Sequence, residues 1–215
     1  MTMVELVVAG TTAVILFLAV GVLLDGGHRA WLQAYASAHG QEHEEAVTVR
    51  SAFGSMGRRA NRTTYVLYRI ERGLFKPVAA DPSKPESIVS GDAVEFRYWD
   101  VELDKSDSHQ VMDTDKTATA YALFYLDNDQ LKVDYGPYPP GAAPAGGGRR
   151  NTTGVTTIVL AENVTVDEGL KPFSHTTTSG VGRGSVRLNA TLTDPDSGET
   201  TRILTGVLLR NIWPR

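Results

Sequence analysis

The chain contains no cysteine, so a disulfide bond, a zinc-thiolate site and a thiol nucleophile are excluded. Basic residues are missing from its start, since no lysine or arginine precedes Arg29. A secretory signal peptide would carry a basic segment, a shorter apolar stretch and a small-residue cleavage site. The sequence therefore predicts a processed N-terminus, from which a basic leader has already been removed.

Excess positive charge is also lacking, because the 215 residues have a net charge of -4 at pH 7. A nucleic-acid partner normally needs a basic face, so we expect none. The sequence has no nucleophile-elbow motif, no phosphate-binding loop and no paired histidines beside a plausible nucleophile. We therefore predict neither an enzyme nor a bound cofactor, and a membrane-tethered enzyme is the least favoured alternative.

What the chain does have is an apolar start. Residues 1–24 are apolar except at Thr2, Glu5, Thr11 and Thr12. About twenty such residues in a helix, at roughly 1.5 Å each, cover the hydrocarbon core of a bilayer. An ionisable group in such a helix is costly and usually has a partner or a function. Glu5 is therefore a candidate functional residue, and the nearest candidate cation is an N-terminal amine.

The apolar pattern continues with a spacing of three and four residues to about residue 58. This spacing predicts one long helix, whose second part, 26–60, is amphipathic. Gly21, Gly26 and Gly27 lie near the junction, and each glycine costs about 1 kcal/mol relative to alanine in a helix. They predict a bend or local melting there, and close packing through small residues is the alternative.

The remaining residues, 61–215, predict a β-rich head domain, so the fold class is α+β, with the long helix packed on this domain. Hairpins are expected around turns at 71–73, 127–129 and 194–198, the last one packed on the amphipathic helix. The first two are either an internal repeat or two unrelated hairpins. Residues 136–151 predict a flexible surface loop. The predicted strands are 64–70, 74–78, 93–99, 121–126, 131–133, 157–160, 163–166, 185–193 and 200–210.

Candidate metal ligands are few. His39 and His43 lie four residues apart on one helix face, but a metal site needs further ligands, so a solvated face is predicted. Oxygen-rich loops can bind calcium. Asp127 and Asp129 are weak calcium candidates, because neither their spacing nor that of the acidic stretch 104–115 matches a known calcium loop. We therefore predict no metal site.

Four of the six asparagines lie in Asn-x-Thr sequons, where this composition would give about one by chance. They are candidate glycosylation sites, and the alternative is that threonine-rich strands generate such motifs freely. Within its predicted loop, Asn151 is expected to be the most accessible. The four are Asn61, Asn151, Asn163 and Asn189.

The start of the chain resembles the processed N-terminus of type IV pilins and type II secretion pseudopilins, which usually begins Phe-Thr-Leu-Ile-Glu-Leu. Thr2, Glu5 and Leu6 match this pattern, and methionine replaces the first phenylalanine. Val22 stands where many pilins carry a proline. The later layout of a tyrosine-rich hairpin, further strands and a terminal hairpin is similar to that of large minor pilins and J-type minor pseudopilins.

The resemblance implies a pathway. A leader peptidase cuts before residue 1 and methylates the new amine. The subunit is held in the inner membrane until the assembly machinery adds it to a helical filament of its own copies or other pilins. Met1, Thr2 and Glu5 are the implied assembly residues, and Glu5 of one subunit pairs with the Met1 amine of a neighbour. An unpaired charge in an apolar bundle costs several kcal/mol, so this pairing penalises a wrong register.

Three functions remain open at this stage. The first is a subunit of an extracellular type IV pilus-like filament on the cell surface. The second is a minor pseudopilin of a periplasmic secretion pseudopilus. The third is a single-pass membrane protein with an extracytoplasmic binding domain.

Overall fold

The structure is a computed structural model of the whole chain, and it describes residues 3–38, 40–60, 65–78, 88–100, 118–176, 185–195 and 198–209. Contacts divide the chain into two compact units, Met1–His43 and Glu44–Arg215. The boundaries predicted from the sequence pattern, after residues 25 and 60, stay a prediction. The first unit is helical, and the second holds most of another helix and all the strands. The fold class is α+β, as predicted.

The helical region is two helices, α1 (Met3–Ala38) and α2 (Gln41–Arg59). The prediction of one long helix with a weak point near residues 21–27 is therefore wrong at Gly40, which is not helical. Gly40 lies at this break, and its carbonyl oxygen accepts a hydrogen bond from the His43 amide at 3.0 Å at the start of α2. Glycine has the lowest helix propensity of any residue except proline, because it loses the most backbone entropy in a helix. An interruption at Gly40 is therefore favoured. The predicted helix end near residue 58 is confirmed.

Twelve strands in the described residues form two antiparallel sheets. The larger sheet has the order β7-β2-β1-β4-β5-β6-β8, and the smaller one has the order β12-β11-β10-β3. The short β9 pairs with β11 on the side that β10 also uses. The strands are β1 (Tyr65–Glu71), β2 (Leu74–Pro77), β3 (Ile88–Gly91), β4 (Ala93–Tyr98), β5 (Ala120–Asp127), β6 (Gln130–Pro137), β7 (Gly148–Arg149), β8 (Thr156–Ala161), β9 (Val164–Thr165), β10 (Phe173–Thr176), β11 (Ser185–Thr193) and β12 (Thr200–Leu208).

All three predicted hairpins are confirmed: β1 with β2, β5 with β6, and β11 with β12. The first two turn through pairs of residues with positive φ, Arg72-Gly73 and Asn128-Asp129. Two consecutive residues of positive φ match the right-handed twist of the flanking strands in a tight hairpin. Three short strands were not predicted, namely β3, β7 and β10.

The main core lies between α2 and the inner faces of both sheets. Phe53 of α2 is fully buried at its centre. Its ring lies 5.4 Å from that of Phe96, 5.3 Å from Phe124 and 6.2 Å from Phe173, measured between centroids. The terminal hairpin contributes Ile203 to this core, so the predicted packing of that hairpin on the amphipathic helix is confirmed.

A second, smaller core covers the opposite face of the larger sheet. It is closed by part of 136–151, the segment predicted to be a flexible surface loop. Ala142 and Ala143 are buried there, and the Ala142 carbonyl accepts a hydrogen bond from the Asn151 amide at 2.8 Å. The surface position predicted for this segment is therefore wrong at these residues, because they cover side chains of the sheet.

Candidate functional site

The feature of α1 that bears on function is its exposed apolar middle. Gly10–Trp31 is long and apolar enough to cross a membrane, and none of it is buried. Eight consecutive apolar residues, Ala13–Val20, cover every face of the helix. The side chain of Phe17 is 80 % exposed, and that of Leu23 is 75 % exposed. At about 1.5 Å per residue the stretch is about 33 Å long, close to the thickness of a bilayer core.

Polar groups appear at the C-terminal end of this stretch. Arg29 and Asp25 form an exposed ion pair at 2.9 Å, one helical turn apart. His28 stacks near Trp31, with ring centroids 6.5 Å apart. Tryptophan and basic side chains are enriched at the boundary between a membrane and water. The C-terminal end of the stretch therefore has the composition of a membrane-water boundary.

Of the predicted assembly residues, Glu5 lies within the first turns of α1. Met1 and Thr2 lie outside the described residues, as does the side chain of Glu5. The pairing of Glu5 with a neighbour's amine involves a second subunit, so it stays a prediction. Val22 leaves the helix uninterrupted.

The glycines of α1 do not break it. Helical structure is continuous through Gly21, Gly26 and Gly27, and local melting at these residues is not observed. A Cβ built on any of the three meets no atom within 4 Å. No close approach within the described part of the chain thus requires glycine at these positions, and contact with another helix remains the open alternative.

The predicted metal candidates are not gathered into a site. Asp127 forms an exposed ion pair with Lys132 at 2.8 Å, at the end of the β5–β6 hairpin. Asp129 is exposed in the turn, with a φ of 58°. His43 is exposed, whereas His39 and the acidic stretch 104–115 lie outside the described residues. Within those residues, no group of three or more potential ligands could hold a metal ion.

The sequons differ in their surroundings. Asn163 is exposed at the bend between β8 and β9, whereas Asn151 is half-buried. The Asn151 side chain donates to the Gly141 carbonyl at 3.5 Å and accepts from the Thr153 amide at 3.1 Å. The prediction that Asn151 is the most accessible sequon is therefore wrong. Asn189 is half-buried on β11, and Asn61 lies outside the described residues.

Two buried carboxylates, Glu95 and Asp134, were not predicted from the sequence. Glu95 on β4 is fully buried, with Arg97 Nε donating to Oε1 at 2.6 Å and the Tyr68 hydroxyl to Oε2 at 2.6 Å. The Ala142 amide also donates to Oε2, at 3.3 Å. Arg97 lies against the ring of Tyr138, 4.6 Å from its centroid. The carboxylate and its partners therefore fasten the covering segment to the sheet.

A second cluster repeats this arrangement around Asp134 of β6, which is also fully buried. Arg150 Nη1 bonds Asp134 Oδ2 at 2.5 Å and the Tyr125 hydroxyl, and the Thr157 hydroxyl donates to Oδ1 at 2.7 Å. Burial, followed by the nearby carboxylate, raises the pKa of Tyr125 to about 12. The phenol is thus neutral at physiological pH. Both carboxylates are fully buried and accept several hydrogen bonds, so they stabilise the packing of the segments around them.

An open groove of about 450 Å³ lies at one end of the larger sheet. Its walls include Tyr98, Tyr135 and the carboxylate of Asp100. The guanidinium of Arg59, the last residue of α2, lies 5.1 Å from the centroid of the Tyr98 ring. Burial raises the pKa of Tyr98 to about 12. Among the described residues of its lining, the groove offers two neutral phenols and one acid, which suits a hydrogen-bonding ligand.

The described residues form an α+β protein with a strand-rich domain. Its N-terminal helix is long and apolar enough to span a membrane. Such a helix is compatible with a membrane anchor or a signal sequence. No family model, no curated protein and no solved structure matches the chain.

Proposed function

We propose that this chain is a structural subunit of a type IV pilus-like filament. The observation that carries the proposal is the combination of an acidic residue, Glu5, at the start of α1 with the exposed apolar stretch Gly10–Trp31 that follows it. A membrane anchor needs the apolar stretch alone. A filament that buries this helix among others also needs a partner for the glutamate, since an unpaired charge in an apolar bundle is costly.

In this function the helix has two environments. Before assembly it lies in the inner membrane, and after assembly it lies in the centre of a filament surrounded by the same helix of neighbouring subunits. Both environments are apolar, so the all-round exposure of Ala13–Val20 is suited to each. The strand-rich unit remains outside the membrane in both states. Among the described residues, α2 and the two sheets supply its main core.

The test is a Glu5→Ala variant produced in the native cell, with the shed surface fraction examined by electron microscopy and the membrane fraction by immunoblotting. We expect the variant to remain in the membrane at wild-type amounts and to form at least tenfold fewer filaments. Asp25→Asn is the matched control, because it removes another acid of α1 from an exposed ion pair. Normal filament yield from Glu5→Ala would refute the role of Glu5.

Two further measurements separate the alternatives. Mass spectrometry of the polymer should find a methylated amine on Met1. A pseudopilin would instead remain periplasmic, and its deletion would cause secreted proteins to accumulate inside the cell. The membrane-anchored binding domain is favoured by the groove beside Tyr98 and Tyr135. That alternative predicts no helical polymer at any level of expression.

A further inference from the structure

The outer face of the smaller sheet brings two of the four sequons together. Strand β9 pairs with β11 so that Thr165 stands opposite Thr191. These are the hydroxyl residues of the sequons that begin at Asn163 and Asn189. The Thr165 hydroxyl donates to the Thr191 carbonyl at 3.4 Å, which ties the two motifs to each other. Their proximity follows from the fold, since they are 26 residues apart in the chain.

The burial pattern shows that the sequon side chains of β9 and β11 face outward. Ala190 and Leu192 are buried in the main core, and so is Val164. Neighbouring side chains on a strand point to opposite faces. Asn189, Thr191 and Thr165 therefore lie on the face away from the core, and Asn163 is exposed at the bend that precedes β9.

Among the hydrogen bonds of the described residues on this face, the side chain of Asn189 takes part through its oxygen. Arg202 Nε donates to Asn189 Oδ1 at 3.2 Å, and Oδ1 is not the atom that carries a sugar. Asn151 differs, because its Nδ2 donates to the Gly141 carbonyl inside the covering segment. Asn163 has a φ of 51°, which asparagine tolerates better than most residues at a bend. A glycan at Asn163 or Asn189 therefore extends from the domain without displacing any residue of its core.

We propose that Asn163 and Asn189 are N-glycosylated and make the outer face of the smaller sheet a carbohydrate-bearing face of the domain. The donor is an oligosaccharide carried on a lipid phosphate. Asparagine Nδ2 attacks the anomeric carbon of the sugar and forms the N–C bond. The bond from that carbon to the phosphate oxygen breaks, the lipid phosphate leaves, and one Nδ2 proton passes to a base of the transferase. The reaction involves no oxidation or reduction.

The modification also covers an apolar side chain on this face. The exposed Leu204 of β12 stands directly opposite Asn189 in the sheet register, and its side chain is 64 % exposed. A glycan on Asn189 covers this leucine. The inference rests on the proposed function only in requiring that the strand-rich unit lies outside the cytoplasm, where such transfer takes place. Because a bulky, hydrated glycan opposes close packing of subunits, the carbohydrate-bearing face points to solvent in the assembled state.

The experiment is mass spectrometry of the full-length protein isolated from its native cell. Tryptic peptide 188–202 reports on Asn189 alone, and fragmentation assigns any modification of the region after Arg150 to Asn151 or Asn163. We expect glycan masses on Asn163 and Asn189. Thr165→Ala should abolish the modification of Asn163, whereas Thr165→Ser keeps the sequon and should retain it. Asn128→Gln alters an asparagine outside any sequon and should leave the mass of the glycans unchanged.

Either of two results would overturn the inference. Unmodified Asn163 and Asn189 in the native protein would show that no glycan is transferred there. Glycans confined to Asn61 or Asn151 would show that the outer face of the smaller sheet is not the modified one. The filament test is independent of these outcomes: polymers of unmodified subunits would refute this inference alone, and modified subunits that never polymerise would refute the filament alone.

Discussion

Gly57 of α2 lies so close to Val207 of β12 that a Cβ built on the glycine would stand 2.5 Å from Val207 Cγ1. Real Cβ atoms do not approach a carbon atom so closely, and neither the strand nor the helix can retreat without disturbing the main core. The terminal hairpin therefore depends on the absence of a side chain at this one helical position.

Gly57→Ala should lower the free energy of unfolding of residues 41–215 by about 1–3 kcal/mol, because the added methyl overpacks the core. Gly54→Ala is the control on the same helix. A Cβ there meets Arg58 Nη1 at an ordinary 3.6 Å, so the helix gains up to about 1 kcal/mol from alanine. Chemical denaturation measures both variants. Equal stability of the two would show that β12 moves away at no cost.

Arg150→Met should destabilise the strand-rich unit by about 2 kcal/mol or more, since Asp134 would stay buried without its cation. The figure is moderate for a broken buried pair because the Arg150 side chain is 29 % exposed. Arg149→Met removes an exposed neighbouring charge and should change the midpoint of urea unfolding very little. A hydrophobic replacement of both Arg150 and Asp134 should recover much of the loss.

His175 of β10 gives the domain a sensitivity to acid. It is 92 % buried, since 8 % of its surface is exposed, and neither ring nitrogen has a hydrogen-bond partner among the described residues. Burial lowers its pKa from the ordinary value of 6.5. Tyr65 meets the imidazole edge to face at 5.4 Å and stays neutral, because burial raises its own pKa.

The folded state therefore binds the His175 proton only at a lower pH than the unfolded state does. The contribution of neutral His175 to the free energy of unfolding is fully present above about pH 7. It decreases as the pH drops through 6.5 towards the lowered pKa. His175→Leu should make the free energy of unfolding depend less on pH when unfolding is measured between about pH 5 and 7. His43→Leu removes an exposed imidazole and should keep the wild-type acid sensitivity. An identical slope in His175→Leu would contradict the prediction.

Removal of residues 1–40 should yield a protein of 41–215 that stays in solution without detergent and unfolds cooperatively. The main core and the second core both lie within the retained residues. The full chain should sediment with membranes, because Gly10–Trp31 exposes its apolar side chains on every face. Fractionation and circular dichroism measure the two properties. A truncated chain that aggregates or lacks a cooperative transition would show that α1 is needed for the fold.

The hairpins could be predicted because each is specified locally. Alternating strands flank short turns such as Arg72-Gly73, and the residues in contact are neighbours in the chain. Strands β3 and β10 could not be predicted in this way. They are four residues long and pair with each other although they are far apart in the sequence, with Ser90 opposite Ser174. Their strand conformation comes from these distant partners rather than from local pattern.

The buried carboxylates were missed for a related reason. Alternation along β4 places Glu95 on the face opposite Phe96, and that face reads as solvent-exposed when a domain has one core. The face is covered here by a segment rich in glycine and proline, whose composition indicates a loop. The composition of such a segment predicts irregular structure, but it does not predict that the segment buries one face of the sheet. Likewise, the glycines of α1 indicated weakness, whereas the break occurs at Gly40.

The place of α2 in the chain also determines how the domain bears tension. Every described strand follows α2 in sequence, so a pull applied from the N-terminal side reaches the domain through this helix first. In this helix, Phe53 packs against Phe96, Phe124 and Phe173 at the centre of the main core. Force applied from that side therefore acts first on a helix that is held by the central aromatic contacts of the domain.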